Sequence, residues 1–258
     1  MKICRFSVPG KSQIAYGVFN QNQTATVLDT QSWSLDKLIL TDEIYSRAEI
    51  ELLPPVAPSK IVCVGRNYQA HAAELGNEVP SEPLLFLKAP SSIVTSHQPI
   101  ILPRQSSRVE HEGELAVVIK RLARNLSLAD NPFDYILGYA CLNDVTARDL
   151  QRKDVQFTRA KSFDTFCPIG EFIETVIDPS NLDLTVRVND AVKQQGNTAQ
   201  MIFPVPEIIR YISNQMTLLP GDVIATGTPS GVSQLNPGDQ VTVEIEGLEA
   251  LVNPVVAF

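Results

Sequence analysis

Apolar residues at Leu182, Leu184, Val186 and Val188 alternate with polar ones, a period of two that predicts a strand with one buried face. Asn189-Asp190 then predicts a hairpin turn with a partner strand around Val192. Val241, Val243 and Ile245 repeat the alternation, and Ile61–Val64, Leu84–Lys88, Ile136–Val145 and Val223–Thr226 are apolar runs of strand length. From Pro204 the spacing changes to Val205, Ile208, Ile209 and Ile212, the stripe of an amphipathic helix. A second helix is predicted from Tyr68 to Leu75, closed by Gly76. Nearer the start, Ala15–Phe19 and Thr24–Leu28 read as strands, followed by weakly helical segments around Leu35–Leu40 and Glu43–Leu52. Strands dominate and do not alternate regularly with helices. That pattern predicts an α+β, mainly β chain with a sandwich-like or rolled sheet, and argues against a doubly wound sheet or a (β/α)8 barrel.

Pro54-Pro55-Val56-Ala57-Pro58 cannot continue a helix or a central strand, so a linker is expected there. It divides a small N-terminal module, residues 1–55, from a main body, residues 56–258. With 258 residues, 44% of them hydrophobic, the chain is long enough to bury a sizeable core. Lys and Arg total 21 against 29 acidic residues, a net charge of −8 with no basic run, so nucleic acid is not expected as a partner. No segment approaches the roughly 20 apolar residues needed to cross a bilayer, and the start lacks a signal-peptide stretch, so no membrane association and a cytoplasmic location are expected. Cys4, Cys63, Cys141 and Cys167 lie far apart without a Cys-x-x-Cys pair, and buried free thiols are the expectation.

The chemistry concentrates where carboxylates lead into an apolar run, in Val109-Glu110-His111-Glu112-Gly113-Glu114-Leu115-Ala116-Val117. In an extended chain Glu112 and Glu114 share one face at roughly 6.6 Å, close enough to hold one cation. A solvated acidic edge strand is the plain alternative. Asp144, at the polar end of the apolar stretch from Ile136, is the best third ligand, and three hard oxygen donors favour Mg2+ or Mn2+, with Ca2+ also admitted by donor type. Glu110 shares their face, whereas His111 points the other way and suits packing or support better than ligation. His71 and Glu74 are three apart on the predicted helix, so the carboxylate can orient the imidazole as a base for water. A casual surface ion pair is the competing reading. Lys161 either balances a substrate anion or is a solvated lysine. Arg148 and Gln151 share a helical face shortly after Asp144 and can grip a substrate carboxylate, and Thr228, between Gly227 and Pro229, offers a hydroxyl on a loop suited to close ligand approach or is simply part of a turn.

Several ordered motifs together resemble the fumarylacetoacetate hydrolase superfamily, and its small acylpyruvase-type members in particular. They are Val64-Gly65-Arg66-Asn67-Tyr68 with His71 and Glu74, Phe86-Leu87-Lys88, His111-Glu112-Gly113-Glu114-Leu115, Asn143–Gln151, Lys161–Pro168, Met201-Ile202-Phe203 and Thr226–Val232. The match runs from about residue 60 to 258, and the first 55 residues match only loosely. Asp190 stands where a glycine is common at the hairpin.

The resemblance implies a mixed β-sandwich roll, usually a homodimer, with Glu112, Glu114 and Asp144 as metal ligands. It also implies a lid bearing His71 and Glu74 as a water-activating dyad, with Lys161 offsetting enolate charge. Arg148, Gln151, Lys161 and Thr228 would contact a small 2-oxo acid. The expected activity is metal-dependent hydrolysis of a carbon–carbon bond in an acylpyruvate or fumarylpyruvate. Oxaloacetate decarboxylation, or tautomerisation or isomerisation of an unsaturated 2-oxo acid, is the alternative.

Overall fold

The strand Gly113–Ile119 is buried at every position, which is why its sequence is a continuous apolar run after Glu114. In the computed structural model, which describes residues 1–29 and 38–258, it lies inside a large mixed sheet. Its antiparallel neighbour is Ile136–Asn143 on one side, and on the other is Val223–Ala225. Beyond Val223–Ala225 come Ile61–Gly65, in parallel, and Leu84–Lys88. In the other direction Phe172–Glu174 hands the sheet to Lys2–Ser7, Ile14–Phe19, Thr24–Leu28 and Leu40–Ser46, so these N-terminal strands extend the sheet of the main body.

A second sheet runs in the order Ala191–Asn197, Asp183–Val188, Gln240–Ile245, Leu251–Ala257 and Ile100–Leu102. The alternating residues expected to face inward do so: Leu184, Val186, Val243 and Ile245 join Leu115, Val117, Tyr139 and Cys141 in one core between the sheets. The turn at Asn189-Asp190 pairs Val188 with Ala191, and Asn189 adopts a φ of 55°.

Four α-helices lie in the described residues: α1 (Gln69–Glu74), α2 (Arg148–Asp154), α3 (Thr158–Lys161) and α4 (Val205–Gln215). In α4 the predicted stripe is the buried face, with Ile208, Ile209 and Ile212 in the inter-sheet core.

The helical expectations near the start fail. Glu43–Leu52 is not helical: it holds the end of Leu40–Ser46, a single 3-10 turn at Arg47–Glu49, and the start of Glu51–Leu53. The β-branched and aromatic pair Ile44-Tyr45 lies opposite Thr26 and Ala25, and this cross-strand pairing overrides a weak helical pattern. For the segment around Leu35–Leu40, residues 35–37 lie outside the described residues, Leu38 and Ile39 are in no regular element, and Leu40 opens a strand.

Candidate metal centre and active-site cleft

The two central strands bring the acids together. Glu112 immediately precedes Gly113–Ile119, Glu114 is its second residue, and Asp144 follows the end of Ile136–Asn143, which pairs Asn143 with Gly113. Asp144 N–H donates to the Glu112 carbonyl at 2.8 Å, and Glu112 N–H donates to Asn143 Oδ1 at 2.9 Å. One carboxylate oxygen from each of Glu112, Glu114 and Asp144 lies within 4.8 Å of the others. The intervening glycine is required by packing: a Cβ on Gly113 would sit 2.2 Å from Val186 Cγ2, so only glycine lets the second sheet close behind the two glutamates.

Three buried cations neutralise part of this charge. Lys161 Nζ donates to Glu112 Oε2 at 2.7 Å and to Asp144 Oδ2 at 2.6 Å, and Lys88 Nζ donates to Asp144 Oδ1 at 2.6 Å. Arg148 spends its guanidinium on Glu110, Gln151 and Glu112. Burial raises the Glu112 carboxyl, but Lys161 and Arg148 outweigh it and hold the group well below the ordinary glutamate range. Burial likewise opposes the charge on Lys161, while Asp144 and Glu112 hold it above the usual lysine value. Glu114 differs. Its hydrogen bond comes from the Gly227 N–H at 2.7 Å, and no ammonium or guanidinium among the described residues bonds to it. Burial, then the charges of Asp144 and Glu112, push its carboxyl well above the ordinary value.

A cleft of about 340 Å3 opens over this cluster, lined by Glu112, Glu114, Asp144, Lys161, Arg148, Gln151, Thr228 and His71. Glu74 lies just outside the lining. It pairs with His71 Nδ1 at 3.3 Å and accepts from Gly231 N–H at 3.0 Å, so it ties α1 to the loop that carries Thr228. The residues picked from sequence thus converge on one place. Lys161 is neither solvated nor free: it is buried between two carboxylates, with its ammonium 4.9 Å from the Phe86 ring centroid. Arg148, in the same way, clamps protein groups.

Sequence reasoning gave no role to Lys88 or Gln194. Lys88 is the last residue of Leu84–Lys88 and shares a face with Phe86; a lysine on that side of an apolar strand was the available signal. Gln194 is the one buried residue of a polar strand. Its Oε1 accepts from Gly113 N–H at 3.1 Å and faces His111 Nδ1 at 2.9 Å, while its Nε2 donates to Thr228 Oγ1 at 2.7 Å and to the Pro229 carbonyl at 2.6 Å. His111, as expected, points away from the cleft, and burial lowers its basicity. The four cysteines are buried and free, and burial pushes Cys4, Cys141 and Cys167 up to about 12, so they carry no thiolate chemistry.

The cluster fits a hard divalent ion. Its donors are all carboxylate oxygens, it faces a cleft with room for further ligands, and Glu114 is a buried acid without a cationic partner. Among the described residues no helix is long and apolar enough to cross a membrane.

Residues 60–256 match the family described as fumarylacetoacetate (FAA) hydrolase, C-terminal, and residues 1–55 match Rv2993c-like, N-terminal. A mitochondrial oxaloacetate decarboxylase of Dictyostelium discoideum is 48% identical over 74% of this chain and 90% of its own length. The oxaloacetate tautomerase YisK of Bacillus subtilis is 40% identical over 82% of this chain and 75% of its own. The crystal structure of a 2-hydroxyhepta-2,4-diene-1,7-dioate isomerase from Mycobacterium marinum superposes with a TM-score of 0.89 at 42% identity, covering 100% of this chain and 98% of that one.

Proposed function

The chain belongs to the fumarylacetoacetate hydrolase family, and from that premise we propose that it is a divalent-metal-dependent enzyme whose reaction is decarboxylation or keto–enol tautomerisation of oxaloacetate or a similar 2-oxo acid. The observation that carries this reading is the convergence of Glu112, Glu114 and Asp144 on the floor of a cleft beside Lys161. Oxaloacetate is the substrate named for two relatives, and the substrate named for the isomerase is also a dicarboxylate.

Glu112, Glu114 and Asp144 would hold the ion, Mg2+ or Mn2+, which would supply electrophilic pull on a 2-oxo acid. The Lys161 ammonium, fixed by Glu112 and Asp144, sets positive charge beside the site where enolate oxygen charge develops. Arg148 fixes Glu112 and the Gln151 carbonyl oxygen, so Gln151 presents its amide nitrogen to substrate, with Thr228 on the opposing loop. His71, oriented by Glu74, moves the proton at C3. In tautomerisation it takes that proton from C3, the C–H electron pair passes into the enolate, and a proton is returned to the C2 oxygen to give the enol. In decarboxylation the C3–C4 bond breaks, its electron pair passes into the enolate as carbon dioxide leaves, and a proton is returned to C3.

Hydrolysis of an acylpyruvate is the second reading, favoured by the His71–Glu74 pair, which suits deprotonation of a water. The test is purified protein with Mg2+ assayed against oxaloacetate, acetylpyruvate and fumarylpyruvate. Metal-dependent loss of oxaloacetate or its enol that exceeds cleavage of both acylpyruvates is the expected result, and faster acylpyruvate cleavage selects the second reading. Turnover that survives complete chelation of divalent ions rejects both.

A further inference from the structure

The charges deep in the cleft are spent on one another, but those at its mouth are not. Besides the buried Arg148 and Lys161, two arginines line the cavity, Arg66 and Arg152, and neither guanidinium has a hydrogen bond or ion-pair partner among the described residues. The acids of the lining are the three clustered carboxylates, and none of them pairs with either of these two arginines.

Arg66 is also held in an unusual way. It occupies the Gly65-Arg66-Asn67 turn at the end of Ile61–Gly65 with a φ of 58°, a conformation that L residues other than Asn and Asp seldom adopt. The turn is fixed from its neighbour. Asn67 donates to the carbonyls of Phe203 at 3.0 Å and Thr226 at 2.7 Å, and its Oδ1 accepts from Phe203 N–H at 2.8 Å. Val155, a β-branched residue in the lining of the same cavity with a φ of 64°, ends α2, the helix that carries Arg152. Strained non-glycine backbone at two points of one lining is the pattern of a site in which side-chain placement outweighs local comfort.

We propose that Arg66, assisted by the exposed Arg152, binds the second carboxylate of the substrate and so makes this cleft selective for 2-oxo dicarboxylates over 2-oxo acids with an uncharged tail. The inference rests on the functional reading above and names the substrate class for the same site. The 2-oxo carboxylate end lies at the acidic floor. The tail then reaches toward the mouth, where a half-buried, unpaired guanidinium offers a planar, bidentate match to a carboxylate. Arg152, being exposed, contributes a weaker and salt-sensitive attraction.

The test measures affinity as well as turnover. Dissociation constants for 2-oxoglutarate and pyruvate are determined by calorimetry on Mg2+-loaded protein, alongside kcat/KM for oxaloacetate and acetylpyruvate. Arg66→Asn keeps a residue that tolerates positive φ and removes the guanidinium. It is expected to lower both dicarboxylate-to-monocarboxylate ratios about ten- to hundredfold, the loss of one charge-assisted contact. Arg66→Lys is expected to fall between it and the wild type, and Arg152→Gln to lower the ratios only severalfold and mainly at low salt. Ratios that stay within twofold of wild type in Arg66→Asn, or in Arg66→Lys should the first variant not fold, overturn the inference while leaving the enzyme a 2-oxo acid enzyme. A wild type that binds and converts none of the four acids in Mg2+ overturns the functional reading, and this inference with it.

Discussion

Two buried acidic sites in this molecule solve the same electrostatic problem differently. Asp222 is fully buried in the turn before Val223–Ala225, and its carboxylate is saturated. It accepts from Ser59 N–H at 3.0 Å, Ser59 Oγ at 2.6 Å, Lys60 N–H at 3.1 Å and Leu219 N–H at 2.8 Å, and pairs with Lys60 Nζ. These bonds join the entrances of two parallel strands, Ile61–Gly65 and Val223–Ala225. The Glu112–Glu114–Asp144 cluster, in contrast, shares its cations and leaves Glu114 with one backbone N–H. A carboxylate surrounded by donors stabilises the fold; carboxylates crowded together at an open cleft cost stability unless something else binds there.

The comparison breaks most visibly at Glu114. Glu114→Gln removes the charge the cluster does not compensate, so the metal-free protein should melt no lower than wild type, while Mg2+-dependent turnover falls by at least about a thousandfold, several kcal/mol of electrophilic assistance. Calorimetric melting with and without Mg2+, together with the oxaloacetate assay, checks both halves. A variant that melts well below wild type would place Glu114 in the same structural class as Asp222.

His71→Ala is expected to lower turnover about a hundred- to ten-thousandfold, the usual share of one positioned acid–base group, with Mg2+ binding retained. The upward shift of melting temperature caused by Mg2+ reads binding without reference to activity. If that shift vanishes in His71→Ala, the imidazole belongs to the ion's surroundings and is not the proton-transfer group.

Asp222→Ala leaves the backbone N–H groups of Ser59, Lys60 and Leu219 without their acceptor and the partly exposed Lys60 ammonium without its carboxylate. It should cost about 3–5 kcal/mol of stability. On thermal denaturation that is a fall of roughly 6–20 °C for a chain of this size. Mg2+ should raise the melting point of this variant by as much as it raises that of wild type, because the two acidic sites serve separate purposes. An Asp222→Ala protein that loses its response to Mg2+ would couple them.

The difference between the two sites also separates what the chain reveals locally from what it does not. Glu112 and Glu114 were legible because the two-residue period of a strand puts them on one face, and Asp144 because polarity interrupts a long apolar run. His71 and Glu74 were legible as neighbours on one helical turn. Pro220-Gly221-Asp222 marks a turn and nothing more, since the partner of Asp222, Ser59, lies 163 positions away. Lys88 meets Asp144 across 56 positions and Gln194 meets Thr228 across 34, so neither pairing leaves a local mark. The misread secondary structure in the described residues, Leu38–Leu40 and Glu43–Leu52, failed for the same reason: Leu40–Ser46 is set by pairing with Thr24–Leu28 and Glu51–Leu53 by pairing with Lys2–Ser7.

The smallest effect falls on Glu110, which stands between the two classes: it neighbours the cluster yet is satisfied as Asp222 is. Burial raises its carboxyl, but Arg148 and Arg108 prevail and hold it below its ordinary value of 4.5. A carboxyl depressed in the folded state adds stability that is fully present above the unfolded-state value and is lost as pH falls through the folded-state value. The Glu110 contribution is therefore complete at neutral pH and disappears in the acid limb below about pH 4.5. Glu110→Gln should melt below wild type at pH 7 and converge with it as pH falls below 4.5 and through the depressed folded-state value, giving a shallower dependence of melting temperature on pH. Parallel curves for the two proteins would mean that the Arg148 and Arg108 contacts do not favour the charged form, and Glu110 would then be no better satisfied than Glu114.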